Sequence, residues 1–182
     1  MGEKEVKIKE TIPLPIAISI VVVFSLLIPI LSGIINFPLW ACFIVWAEYF
    51  ALGAKPEGIK YIIPAYSVGA LLTWVSAVMW TALMAAGIEM WTSIGLSLFI
   101  WMAPVGYLAT HIPLFMKGSL PLFNGVSMYL AIYFTASVPS LFLPDPFLLC
   151  HGALLITVIT SIIGSFFGWI NVVITFPKEV KE

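Results

Sequence analysis

The sequence predicts an all-α integral membrane protein: a bundle of six transmembrane helices, arranged as two three-helix units, with both termini on the cytoplasmic side. Three observations predict it. Of the 182 residues, 62% are hydrophobic and only 9% charged, against about 25% charged in a soluble domain, so a soluble globular fold is excluded. Apolar runs near the roughly 20 residues that a helix needs to cross the hydrocarbon core recur six times. Every lysine then falls on one side of the resulting arrangement, the side on which short cytoplasmic loops concentrate positive charge.

The elements follow in order. Residues 1–12 form a cytoplasmic segment whose first ten residues are polar. No small-residue cleavage pattern follows them, so the first apolar run, 13–33, is expected to stay as helix one rather than leave as a signal peptide. Further spans are expected at 37–54 and 61–86, which complete a first unit over 13–86. Spans at 91–111, 119–143 and 147–176 make a second unit over 87–176, and 177–182 is a cytoplasmic tail. The separators are Asn36, the stretch Ala54 to Lys60, Gly87 to Met90, Lys117 to Gly118, and Pro144 to Pro146. On this division Lys4, Lys7, Lys9, Lys55, Lys60, Lys117, Lys178 and Lys181 share one side, while the opposite loops carry only Glu89 and Asp145. Pro104 and Pro139 fall inside spans four and five and are expected to kink them.

Offset by about 83 residues, the chain resembles itself. Ile28-Pro29-Ile30-Leu31 parallels Ile112-Pro113-Leu114-Phe115, Phe37-Pro38-Leu39-Trp40 parallels Leu120-Pro121-Leu122-Phe123, and Gly69-Ala70-Leu71-Leu72 parallels Gly152-Ala153-Leu154-Leu155. A unit of three spans repeated once enters the membrane from the opposite side, which makes an inverted repeat of the kind found in transporters and channels. Shared composition among apolar helices is the competing explanation.

Chemistry-bearing residues are few. Glu48 is the only acid inside a span, roughly 9 Å from its inner end at 1.5 Å per residue, and an acid retained there against a cost of several kcal/mol is a functional candidate. It is a candidate for lining a solute path; pairing with Lys55, seven residues on, is the structural alternative. Asn124, at similar depth in span five, either braces a helix or lines the same path. Thr73, Thr157 and Ser161 belong to stripes of small and hydroxyl residues on spans three and six, and pack helices or line a pore. Gly164, Gly168 and Gly69 on those stripes are expected to permit close helix packing. His111 and His151 are gating candidates near opposite span ends, with interfacial capping as the other reading of His111. Trp40, Trp91 and Trp169 fit interfacial belts.

Several classes drop out. With 8 Lys against 9 acids and no Arg, the chain lacks the basic surface that nucleic acid requires. Cys42 and Cys150 sit in apolar runs, and adjacent Cys150-His151 is not a zinc spacing, so neither a metal site nor any other cofactor is expected. The absence of a phosphate loop, a H-E-x-x-H motif or a nucleophile triad argues against an enzyme. The expected partners are the lipid bilayer and a small polar solute, with a homo-oligomeric channel as one form. A non-transporting accessory or assembly subunit of a membrane complex is the alternative.

The stretch from Leu39 through Trp46-Ala47-Glu48-Tyr49-Phe50 to Gly53, continuing through Gly58 and Ser67-Val68-Gly69 to Trp74, resembles the YcdZ-like family of small bacterial inner-membrane proteins, a domain of unknown function. Leu120-Pro121-Leu122-Phe123-Asn124-Gly125 resembles a second patch of that family. Glu48 stands where a small or neutral residue is expected in it. The resemblance implies several spans in a bacterial inner (plasma) membrane and supplies no substrate.

Overall fold

The computed structural model describes residues 10–32 and 37–175. Helices α1 (Leu14–Ser25) and α2 (Leu27–Ser32) follow each other across a break at Leu26. After them come α3 (Leu39–Ala51), α4 (Pro56–Ala85), α5 (Met90–His111), the one-turn α6 (Pro113–Lys117), α7 (Ser119–Phe134), a 3-10 turn at Ser140–Phe142, and α8 (Pro146–Thr175). No strand occurs among the described residues. The separator Asn36 and the terminal lysines Lys4, Lys7, Lys9, Lys178 and Lys181 lie outside the described residues.

Four helical stretches are long and apolar enough to cross a membrane: Leu14–Leu31, Pro56–Ala85, Met90–His111 and Pro146–Thr175. The other two expected spans are shorter than the sequence suggested. The run 37–54 yields only the 13 residues of α3 and the run 119–143 only the 16 of α7, about 20 Å and 24 Å of helix against a core of roughly 30 Å.

The cause is backbone termination, which hydropathy does not register. Gly53 takes φ 94° and Ala136 φ 50°. The amides of Ala54 and Ser137 then close back onto the carbonyls of Tyr49 and Ile132, while those of Gly53 and Ala136 close onto Phe50 and Tyr133. Each is a Schellman stop. Gly87, at φ 89°, ends α4 in the same way.

Two prolines are also placed differently from expectation. Pro139 does not kink a helix, because α7 has already ended and Pro139 precedes the 3-10 turn. Pro64 lies inside α4, which begins at Pro56, five residues before the expected span start at 61. Pro104 is inside α5 as expected.

The packing joins the two ends of the chain. Helix α4 runs alongside α7 in the same direction, with Gly118 against Tyr61 near one end and the Trp80 indole donating to the Tyr133 hydroxyl at 3.3 Å near the other. Helix α8 runs alongside α3 in the same direction, Gly164 resting on Cys42 and Val45 and Gly168 on the Tyr49 ring. Helices α4 and α8 are antiparallel neighbours, touching where Thr81 meets Cys150. Helix α5 lies along α4, and α1 along α8.

Glycine sets the closest of these approaches. At the α4–α7 crossing Gly69 faces the backbone of Leu122 and Val126, while Gly125 faces the backbone of Tyr66. A Cβ at either position would collide with the opposite main chain. In lipid, where apolar side chains gain little by leaving hydrocarbon for one another, such backbone-to-backbone packing is a principal source of helix association. Gly164 and Gly168 lie close against α3 in the same way.

Candidate functional site

Glu48 lies on α3 and is 2% exposed. Its neighbour is not Lys55. Helix α3 ends at Ala51, the chain reverses through Gly53 and Ala54, and Lys55 stands exposed at the start of α4. Instead, Asn124 on α7 donates from Nδ2 to Glu48 Oε1 at 2.5 Å. The two residues that the sequence marked separately, 76 positions apart, therefore form one polar pair where α3 meets α7. Asn124 is held there because Gly125, next to it, lets α7 settle onto α4.

The other carboxylate oxygen, Oε2, is buried and has no hydrogen-bond partner among the described residues. Tyr66 of α4 packs in one cluster with Val45 and Tyr49, the residue after Glu48, and its buried hydroxyl is also without a hydrogen-bond partner among the described residues. Buried polar atoms are almost always partnered, and leaving one without a bond costs about 1–3 kcal/mol. Buried groups of Trp46, Trp74, Ser76, Ser97 and Trp101 are orphaned as well, so what distinguishes this centre is its carboxyl group.

Further orphaned groups extend from it along α3 and α8. The Tyr49 hydroxyl, both side-chain polar atoms of Asn171 and the Thr175 hydroxyl are buried without partners among the described residues. Tyr49 packs on Gly168, three residues before Asn171 on α8, and Thr175 ends that helix, where its carbonyl accepts from the Thr11 amide at 2.9 Å. Sequence reasoning missed Tyr49, Tyr66 and Asn171. For Asn171 a signal existed: it continues the Gly164, Gly168 stripe by one more turn.

The hydroxyl candidates behave differently. Thr73 donates to the Gly69 carbonyl at 2.8 Å, Thr157 to Ala153 at 2.6 Å and Ser161 to Val158 at 2.7 Å. All three are fully buried and satisfied within their own helices. Back-bonding of this kind hides a hydroxyl inside a helix contact, so their geometry is that of packing residues.

Both histidines lie away from Glu48. His111, exposed at the end of α5, stacks on Tyr107 with ring centroids 4.4 Å apart, and its Nδ1 is 2.8 Å from the Thr110 hydroxyl. His151, exposed near the start of α8, meets the Trp74 ring edge-on at 5.5 Å. Its Nδ1 lies 2.6 Å from the Phe147 carbonyl.

An apolar groove lies elsewhere in the bundle. About 530 Å³ in volume, it opens between α1–α2 and α8 and is walled by apolar side chains including Val21, Phe24, Ile28, Phe166 and Ile170. Among the described residues no three His, Cys, Asp or Glu side chains converge as a metal site.

A family model described as a protein of unknown function (DUF1097) matches residues 17–175. No curated protein and no solved structure matches the chain.

Proposed function

The chain belongs to the DUF1097 family of proteins of unknown function, and from that premise we propose that it is a multi-pass membrane protein that conducts a small polar solute, with Glu48 and Asn124 on the path. The observation that carries this reading is the buried carboxylate with one oxygen held by Asn124 and the other unpartnered among the described residues. An acid in such a place is costly in a bilayer and is characteristic of substrate and ion pathways. The orphaned groups of Tyr49, Asn171 and Thr175 continue a polar seam from it toward the end of α8. Thr73, Thr157 and Ser161 form the packed wall around that seam, and His111 and His151 stand at opposite ends of the bundle as gating residues.

The reading includes six membrane-crossing segments, with α3 and α7 as short ones, in two inverted halves, 13–86 and 87–176. Helix exchange supports this: α8 packs on α3 as α4 packs on α7, and α1 lies on α8 as α5 lies on α4. A two-fold axis in the membrane plane that swaps the halves produces this pattern. Exposed Lys55, Lys60 and Lys117 at one end of the bundle favour cytoplasmic termini, and the likeness to YcdZ-like proteins favours a bacterial inner membrane.

A second reading, a non-transporting subunit of a membrane complex, draws on the apolar groove beside α1 and on the outward Phe24, Ile30 and Leu31 of the first span, which suit a partner helix. Solute entry into liposomes containing the full chain tests the two. Entry above that of empty vesicles supports conduction; none, with folded protein, contradicts it.

A further inference from the structure

Two lysines from different parts of the chain converge on one ring at the lysine-bearing end of the bundle. Lys60 on α4 and Lys117 at the end of α6 each place Nζ 5.8 Å from the Tyr61 ring centroid. The two ammonium groups are therefore within twice that distance of each other. Both lysines are exposed.

Lys60 precedes Tyr61 in the chain, whereas the approach of Lys117, 56 positions on, is built by the fold. Gly118 follows Lys117, and a Cβ there would come within 3.0 Å of Ala65 and 3.2 Å of the Tyr61 carbonyl. That close approach pins the α6–α7 junction against α4 and delivers Lys117 to the Tyr61 ring. Cation–π contact steadies each ammonium but does not neutralise it, so two exposed like charges remain around one ring.

The surface beside them is apolar. Met116, Leu120 and Phe123 are 52%, 46% and 50% exposed. Leu120 and Phe123 are three residues apart on α7 and so share a face, which leads from Lys117 along the outside of the bundle.

We propose that Lys60, Lys117 and Tyr61 seat the phosphate of an anionic phospholipid, whose acyl chain lies along Leu120 and Phe123. A phosphate bridging two ammonium groups removes their repulsion. Tyr61 supplies the amphipathic ring that favours headgroup depth, and the adjoining stripe supplies contact for hydrocarbon. This seat is separate from the Glu48 site and stands or falls independently of it.

The test uses the full chain in neutral detergent. Native mass spectrometry would compare retention of phosphatidylglycerol with phosphatidylcholine of the same chain length, alongside inorganic phosphate alone. Three proteins enter the comparison: wild type, the Lys60→Gln/Lys117→Gln pair, and Lys55→Gln, which removes an exposed lysine not on the ring. Because all three lysines are exposed, the fold should survive, and an unchanged unfolding midpoint in detergent checks that it has.

The expected result is preferential retention of phosphatidylglycerol by wild type and by Lys55→Gln. The double variant should bind it roughly tenfold more weakly or worse, in keeping with about 1 kcal/mol for each basic residue near an anionic lipid surface. Equal retention of both lipids, or an equal loss in Lys55→Gln, would overturn the proposal. Saturable binding of inorganic phosphate without phosphatidylglycerol preference would identify a free-anion site and overturn the lipid assignment.

Discussion

Asn124 on α7 donates a hydrogen bond to Glu48 on α3, and it is the only side chain that satisfies that buried carboxyl among the described residues. The bond ties α3 to α7. Removing its donor leaves both carboxylate oxygens unpartnered in an apolar bundle. Asn124→Ala should therefore destabilise the protein by about 1–3 kcal/mol, the range for stranding a buried polar group. Glu48→Gln, which keeps an acceptor, should cost less. A double-mutant cycle on unfolding in detergent, pairing Asn124→Ala with Glu48→Ala, should give a coupling of at least about 0.5 kcal/mol; strict additivity would mean the bond does not hold these helices.

Glycine substitutions should divide sharply by location. Gly69→Ala and Gly125→Ala drive a methyl into the facing backbone of α7 or α4 and should lose several kcal/mol, or fail to fold. Gly95→Ala and Gly106→Ala meet open space on α5 and should be neutral or stabilising by up to about 1 kcal/mol, the ordinary helix preference for alanine. Unfolding midpoints of the four variants in one detergent check the contrast. Similar losses at all four would contradict the close crossing.

Ala136 occupies the left-handed position of the stop that ends α7, where Gly53 and Gly87 serve α3 and α4. An L-residue there is strained by roughly 1–2 kcal/mol, partly offset by alanine's smaller loss of unfolded-chain entropy. Ala136→Gly should raise stability by a few tenths of a kcal/mol to about 1 kcal/mol. A lowered midpoint would show that the turn does not hold this conformation.

Glu89 caps α5, accepting from the amides of Trp91 and Thr92 at 2.9 and 2.8 Å. These backbone donors hold its carboxyl below the usual 4.5, with the Thr92 hydroxyl adding to the same effect. Because the folded value lies below the unfolded one, the cap contributes fully above the ordinary carboxylate range and is lost as pH falls through the lowered value. Amide exchange over the first turn of α5 should accelerate as pH drops below that range, relative to the intrinsic rate. Glu89→Gln should remove the pH dependence; an unchanged pH profile in that variant would assign the effect to another group.

Much of the helical layout was legible because lipid leaves a backbone few alternatives to helix, and apolar runs broken by lysine or glycine mark where helices pause. Glu48, Asn124 and the glycine stripe could be chosen from the chain alone, since each is conspicuous in an apolar setting. Their pairing could not. The contact joins residues 76 positions apart, and only the glycine crossing of α4 on α7 decides what Asn124 faces. The lengths of α3 and α7 escaped for a different reason. Residues 135–143 remain largely apolar after the helix has stopped, and the stop depends on a positive φ at an alanine, which carries no compositional mark. Asn171 was visible as an amide in a span but drew no notice beside the small residues preceding it.

Asn171 offers a separate check on the polar seam. It is fully buried with neither side-chain polar atom partnered among the described residues. Replacing an unsatisfied buried amide by an apolar group of similar size is neutral or stabilising, so Asn171→Leu should keep or raise the unfolding midpoint. On the conduction reading the same change blocks the seam and lowers flux several-fold. Lowered stability together with unchanged flux would make Asn171 a bracing residue.

The central claim rests on solute movement past Glu48. Purified wild type, Glu48→Gln and empty liposomes should be compared by light scattering during entry of a panel of small polar solutes. The account predicts entry above empty vesicles for at least one solute in wild type, and a rate altered several-fold by Glu48→Gln at equal protein content. Entry that Glu48→Gln leaves untouched would remove Glu48 from the path. No entry above empty vesicles, from protein shown to be folded, would contradict conduction and leave the apolar face of α1 and α8 as the place to seek a partner.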